Sequence, residues 1–384
     1  MTAYLARLDE VKNCFLHKDY HLGFRKLLDV AMDTQDMDVY KRCIVLTHWK
    51  EEHPKAEEQL SEKCLEEVER LKSFTVPEAN TSIPIIDARE LVKVYPNSRF
   101  KLGPVSVAIK KGNVYGLVGE NGNGKTTLLR ILGKELSFQS GQIQYHFNKA
   151  PNNQFEERSK LVYIPQRTQT WYGPLKDNLK FVLSSYGVPK DEIEPRMLMM
   201  IARLGLWQYQ NLKWSELSSG YKMRFELART LLRQPEVMLL DEPLANLDVL
   251  AQQTVLEDLI SICNSISNPI ALILSSQQLY EVEKVSDKVI FLKNGQYREN
   301  LNESGESDAQ GLVIEIESSN KREELLEAFA HLALEKLVFN GGVYLAYFKD
   351  TTQLSDVLTA AGTFKLNIVY LRDISKSTRR FFVS

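Results

Sequence analysis

Residues Gly119 to Thr126 read Gly-Glu-Asn-Gly-Asn-Gly-Lys-Thr, the spacing G-x-x-x-x-G-K-[ST]. The flanks decide what this stretch can be. Val114 to Val118 is an apolar run of strand length, and Thr127 to Leu132 has helical apolar spacing. The loop therefore joins a buried strand to a helix, the context in which glycines let backbone N–H groups close around phosphate oxygens. The first helical turn adds its positive end. Gly119, Asn121, Gly122, Asn123, Gly124 and Thr127 form the expected cradle. Lys125 is expected to reach the terminal phosphates, and the Thr126 hydroxyl to ligate Mg²⁺.

A second stretch, Pro235-Glu-Val-Met-Leu-Leu-Asp241-Glu242-Pro243, is an apolar strand ending in two adjacent carboxylates. Such a strand must be buried, so the acids emerge at its C-terminal edge, where parallel α/β sheets bind ligands. Neighbouring side chains point to opposite sides. Asp241 is expected to hold Mg²⁺ through water, and Glu242 to polarise the water that attacks the γ-phosphate.

Between them lies Leu217-Ser218-Ser219-Gly220-Tyr221, followed by the helical run Phe225 to Leu232. With this element in place the chain resembles the ATP-binding-cassette (ABC) ATPases, whose signature is LSGGQ between the two phosphate-site motifs. The resemblance covers residues 84–300. It makes Tyr95 the aromatic that stacks on adenine, Gln166 the glutamine that touches Mg²⁺ and senses the γ-phosphate, and Leu244 to Asp248 the loop carrying Asp248. Val289 to Gly295 is the strand and turn that close the cassette. The resemblance also implies that Ser218 and Gly220 complete the ATP pocket of a second cassette, so that the protein is expected to dimerise around ATP. That dimer is a homodimer, or a heterodimer with another ABC ATPase.

The chain departs from the family pattern in two places, the signature and the switch position. Ser219 and Tyr221 replace the first paired glycine and the glutamine of the signature; with Ser218 and Gly220 kept, modest weakening is expected. More consequentially, Gln277 stands where the family has a switch histidine against the γ-phosphate, and none of the six histidines, at 17, 21, 48, 53, 146 and 331, lies nearby. A glutamine amide can donate a hydrogen bond to the γ-phosphate but cannot take up a proton or a positive charge. Slow but non-zero hydrolysis is the expectation.

Composition sets the remaining bounds. A chain of 384 residues with 43% hydrophobic content suggests two or three domains with real cores. No apolar run approaches the length of a membrane span, and the N-terminus lacks the pattern of a secretory signal. Cys14, Cys43, Cys64 and Cys263 share no metal-like spacing. A net charge of −2 offers no general reason to bind nucleic acid, and residues 1–72 carry 12 Lys+Arg against 15 Asp+Glu. The expected location is cytoplasmic, peripheral on the inner face of the cell membrane.

The expected organisation is an α/β P-loop ABC cassette, with a RecA-like core and a helical subdomain, between two further domains. Residues 1–74 show four apolar stripes at helical spacing, with helix starts at Asp19, Asp36 and Pro54. Residues 75–83 and 301–311 read as linkers. Residues 312–384 read in alternation, strand-like over Leu312 to Ile316, helical over Lys321 to Leu334, strand-like over Val343 to Phe348, helical over Thr352 to Ala361 and strand-like over Ile368 to Leu371. This suggests a small ferredoxin-like α+β domain ending in a basic helix over residues 372–382. That domain resembles C-terminal extensions of bacterial exporter ATPases. The resemblance thus implies an ATPase subunit driving a separate membrane permease in export, with Trp171 and Tyr172, after Gln166, gripping the permease. The alternative is a nucleotide-gated regulatory module with near-vestigial hydrolysis.

Overall fold

The apolar run before the glycine loop becomes a central strand of a six-stranded sheet, and the run after it a helix. In chain order the first strands are β1 (Pro84–Val94), β2 (Lys101–Lys110), β3 (Val114–Val118), β4 (Ser140–Tyr145), β5 (Leu161–Ile164), β6 (Val237–Leu240), β7 (Ala271–Ser276), β8 (Lys288–Lys293) and β9 (Gln296–Arg298). The large sheet runs β5-β6-β7-β3-β8-β9, and the pairs from β5 through β8 are parallel. Every residue of β3, β6 and β7 is buried, which explains why these strands do not alternate and are apolar except for Ser275 and Ser276 at the end of β7. A separate antiparallel sheet, β2-β1-β4, packs on the same core through Ile85, Leu91 and Leu102. This computed structural model describes residues 2–96, 100–277, 282, 285–298, 311–340 and 342–375. It divides into two units, one holding the described residues up to Tyr297 except Val282, the other holding Val282 and those from Arg298 on.

The N-terminal stripes form α1 (Ala3–Leu16), α2 (Tyr20–Asp33), α3 (Met37–Glu52) and α4 (Glu57–Leu71). Asp36 caps α3, its carboxylate accepting from the Asp38 and Val39 N–H groups at 2.9 Å, whereas α4 starts at Glu57, beyond Pro54. The cassette contributes α5 (Lys125–Leu132), α6 (Gln154–Lys160), α7 (Leu175–Ser185), α8 (Lys190–Arg203), α9 (Ser219–Leu231) and α10 (Val249–Cys263).

Where the sequence reads as a free-standing helical domain, the four helices share one unit and one core with the cassette. Met199 of α8 and Ile266, just past α10, are buried in the same cluster as Leu8, Leu27 and Val68. The residues read as a linker are pinned there too: Val76 joins that cluster, and the Ala79 N–H donates to Ile266 O at 3.2 Å. Buried charge completes the attachment. Arg203 of α8 is 3% exposed, donates to Asp29 of α2, and pairs with Asp258 of α10 at 2.7 Å. Burial alone would lower its pKa; the two carboxylates overcome that and raise it. Asp33 of α2 accepts from the Ser265 hydroxyl at 2.6 Å and the Ile266 N–H at 3.0 Å, capping the turn after α10. Cys43, Cys64 and Cys263 are buried free thiols; burial pushes Cys64 up to about 12, which keeps it protonated and inert.

In the second unit, strands Val313–Ser318, Leu334–Asn340, Val343–Phe348 and Ile368–Asp373 form an antiparallel sheet, and helices Arg322–Phe329 and Leu354–Thr363 complete a β-α-β-β-α-β order. The order across the sheet is second, third, first, fourth, the ferredoxin-like arrangement. The sequence reading extends the first helix to Leu334 and overlooks the second strand. Leu334–Asn340 lies at the sheet edge, where Glu335 and Lys336 face solvent, and a charged edge strand lacks a two-residue apolar rhythm. Arg372 and Asp373 belong to the last strand, and the remainder of the helix expected over residues 372–382 falls almost wholly outside the described residues.

Candidate functional site

Four strands of the parallel sheet deliver the motif residues to one edge. The glycine loop follows β3, Gln166 follows β5, Asp241 and Glu242 follow β6, and Gln277 follows β7. This is the carboxyl edge, where open α/β sheets bind ligands. Glycine is required at three loop positions, Gly122 among them with φ +83°. A Cβ on Gly119 would lie 2.5 Å from Leu292 O, and Gly124, which caps α5, has φ +98°.

Lys125 is 5% exposed, and its ammonium donates to Gly119 O at 2.6 Å and lies 3.3 Å from Glu242 Oε1. The Thr126 hydroxyl donates to Asp241 Oδ2 at 2.7 Å. Asp241, 4% exposed, also accepts from the Tyr163 hydroxyl at 3.1 Å and the Ser275 hydroxyl at 2.8 Å. Burial, and then the charge of Asp241, push the Tyr163 hydroxyl far above its usual pKa, so it remains a donor. Glu242 takes φ +50°, unusual for a residue with a Cβ. Its N–H donates to Ser275 Oγ at 2.8 Å, and its carboxylate accepts from Gln277 Nε2 at 3.3 Å. The two neighbouring acids thus face different partners: Asp241 a set of hydroxyls, Glu242 a lysine and an amide.

Other predicted residues sit nearby without joining this cluster. The Tyr95 hydroxyl is 3.3 Å from Thr127 Oγ1, its ring leans on Phe100 with centroids 6.3 Å apart, and Lys93 Nζ lies 5.5 Å from its centroid. Asn123 accepts from the Asn294 N–H at 3.0 Å, which ties the loop to the β8–β9 turn. Asn121 and Gly122 lie in the loop itself, and Gly122 has open space on its Cβ side. Gln166 is exposed two residues past β5. Ser218 caps α9, Asp248 caps α10, and a Cβ on Gly220 would meet Ala251 at 3.1 Å, so signature and Asp248 loop adjoin one another.

Ser275, Tyr163 and Asn294 were not anticipated. The signal available for Ser275 was two hydroxyl residues closing an otherwise apolar strand. The paired aromatics also separate. The Trp171 indole turns inward, donating to Glu226 at 2.7 Å beneath the Arg229 guanidinium 4.3 Å away, whereas Tyr172 is 88% exposed.

Comparison with known proteins agrees with this geometry. The family model described as ABC transporter matches residues 102–245. A spermidine/putrescine import ATP-binding protein PotA of Mycoplasma mycoides is 32% identical over 55% of this chain, which spans 59% of that relative's length. A methionine import ATP-binding protein MetN 1 of Listeria monocytogenes is 31% identical, over 55% of this chain and 61% of its own. An ABC transporter ATP-binding protein of Methanocaldococcus jannaschii is 30% identical, over 55% of this chain and 75% of its own. Among solved structures, cbiO1 from Clostridium perfringens, part of the ABC transporter complex cbiONQ, shares the fold with a TM-score of 0.52. It is 24% identical and covers 57% of this chain and 88% of that one. A nucleotide loop on β3, paired acids on β6 and a serine-capped signature helix lie within or beside the matched region, and the chain belongs to the ABC transporter ATP-binding family.

Proposed function

We propose that the protein binds and hydrolyses ATP as the nucleotide-binding subunit of an ABC transporter, closing as a dimer around the nucleotide to drive a separate membrane permease. The observation that carries this reading is the split of the two β6 acids, Asp241 onto the Thr126 hydroxyl at 2.7 Å and Glu242 onto Lys125 at 3.3 Å. The oxygen donors of Thr126 and Asp241 suit Mg²⁺, with Gln166 as a third candidate, and a bound Mg²⁺ would neutralise charge on the triphosphate oxygens. Lys125 leaves Glu242 for the phosphates, and Glu242, freed of its partner, orients and deprotonates the attacking water. Tyr95 stacks on the base. Ser218 and Gly220 hold the γ-phosphate of a partner cassette, with Asp248 beside them.

On direction, PotA and MetN are by name import proteins, which favours import over the export expected from the C-terminal domain alone. Among the described residues no helix is long and apolar enough to cross a membrane, consistent with a permease on another chain and a peripheral position at the inner face. Of the two aromatics, Tyr172 is the one free to dock. Tyr172→Ala is expected to leave ATP turnover of the isolated protein unchanged and to weaken its retention on permease-containing membranes by about tenfold. Equal retention removes Tyr172 from the docking surface.

The position of Gln277 supports slow turnover, because its amide is a weak donor to Glu242 and cannot take up and pass on a proton. Gln277→His is expected to raise steady-state phosphate release by about tenfold or more. The alternative reading, a nucleotide-gated module with near-vestigial hydrolysis, gains if turnover is barely detectable and the histidine does not restore it.

A further inference from the structure

A cavity of about 570 Å³ lies where α2 meets α6, α8 and the ends of α9 and α10. None of the phosphate-loop residues, nor Asp241 or Glu242, lines it. Much of its wall is apolar, including Met32, Leu183 and Met200, and two stacked rings, Phe155 and Tyr186, form one side with centroids 4.7 Å apart. Its volume is that of a site for one small organic molecule.

Among the described residues each arginine in the wall but one has an ion pair, and of the acids only Glu156 has none, its carboxylate accepting instead from the Asn152 backbone and amide N–H groups. Arg7 pairs with Asp33 at 3.3 Å, Arg196 with Glu192 at 2.7 Å, and Arg203 with Asp29 and Asp258. Arg233 differs. Among the described residues it makes no ion pair, its Nε is shut from solvent without a hydrogen-bond partner, and its guanidinium sits 5.6 Å from the centre of the Tyr186 ring. Glu226, whose field reaches it, is already held by Trp171 and Arg229. Burial, aided by the charge of Arg229, holds the Arg233 pKa below the usual arginine value. Arg203 adds a second buried donor without a partner, its Nη2. A mixed cavity with an aromatic wall and a guanidinium that lacks an ion pair is matched by a flat molecule bearing one negative charge.

We propose that this cavity is a binding site for a small aromatic monoanion, its carboxylate on Arg233 and its ring along Tyr186 and Phe155. Bound there, the anion braces α2 against the C-terminal ends of α9 and α10, the helices that Ser218 and Asp248 cap at their other ends. Nucleotide chemistry is not required for the site to exist.

The test is calorimetric titration of the full chain with 1-naphthoate and with its neutral isostere 1-naphthamide, in the parent, Arg233→Gln, Phe155→Ala and Lys125→Ala proteins. One saturable site is expected, preferring naphthoate over the amide, weakened about tenfold or more by Arg233→Gln and more mildly by Phe155→Ala. Lys125→Ala is expected to bind naphthoate as the parent does, whether or not the protein proves to be an ATPase. The Phe155 ring is 53% exposed, so its removal tests the wall even where Arg233→Gln does not fold. No saturable binding at millimolar naphthoate, equal affinity for the amide, or full affinity in the folded Arg233→Gln or Phe155→Ala protein overturns the proposal. Loss in Lys125→Ala also overturns it, since the anion would then sit in the phosphate loop.

Discussion

Glu242→Gln is expected to lower ATP turnover by about 10²–10⁴-fold while nucleotide binding persists. The substitution keeps shape: the side chain still reaches Gln277, 3.3 Å away, and the backbone still donates to Ser275. What disappears is an atom able to take a proton, and with it the negative charge 3.3 Å from the Lys125 ammonium. Loss of that charge frees Lys125 for phosphate, so ATP affinity should hold or rise. In excess ATP and Mg²⁺ the variant should sediment as a dimer, because the step that releases the partner is blocked. Phosphate release and sedimentation are to be measured on the same preparation. Near-parental turnover would show that Glu242 is not the base, and a monomer at saturating nucleotide would remove the shared pocket.

The second large effect concerns stability. Arg203→Ala is expected to cost about 3–5 kcal/mol in urea denaturation, because it strips a buried cation from between a buried acid, Asp258, and a half-buried one, Asp29. Asp258 is 2% exposed and has Arg25 at 3.9 Å and Arg224 at 3.6 Å as weaker remaining partners. Asp29 keeps the Ser261 hydroxyl at 2.5 Å but loses its only ion pair among the described residues. The same change loosens the N-terminal helices, which hold the cassette through Arg203 and Asp33, so proteolysis near residues 73–83 should accelerate. A loss below about 1 kcal/mol would mean that the shared apolar core holds the helices without this latch.

Local chemistry explains which parts were readable in advance. The strand before the glycine loop, the strand before Asp241 and, up to its two closing serines, the strand before Gln277 are apolar because both faces are covered, and turn residues punctuate each. Asp36 announces a helix start because the cap and the N–H groups it satisfies are two and three residues apart. The edge strand Leu334–Asn340 gave no such signal, since one side faces water and its charged residues are also good helix formers. Trp171 and Tyr172 look equivalent in sequence; they part because Glu226, 55 residues on, offers a buried acceptor to one indole.

Taken alone, the order of residues names the chemical groups at each strand tip and the family to which they belong, because those groups act through spacings of a few residues. It leaves open how the groups are committed. Asp241 meets Thr126 across 115 residues and Ser275 across 34, and Arg203 meets Asp29 across 174. Those meetings depend on β7 lying between β6 and β3, and on α2 packing across α8 and α10. Strand order and helix docking are settled by burial of whole faces, a free energy summed over many distant residues, so no short pattern carries them.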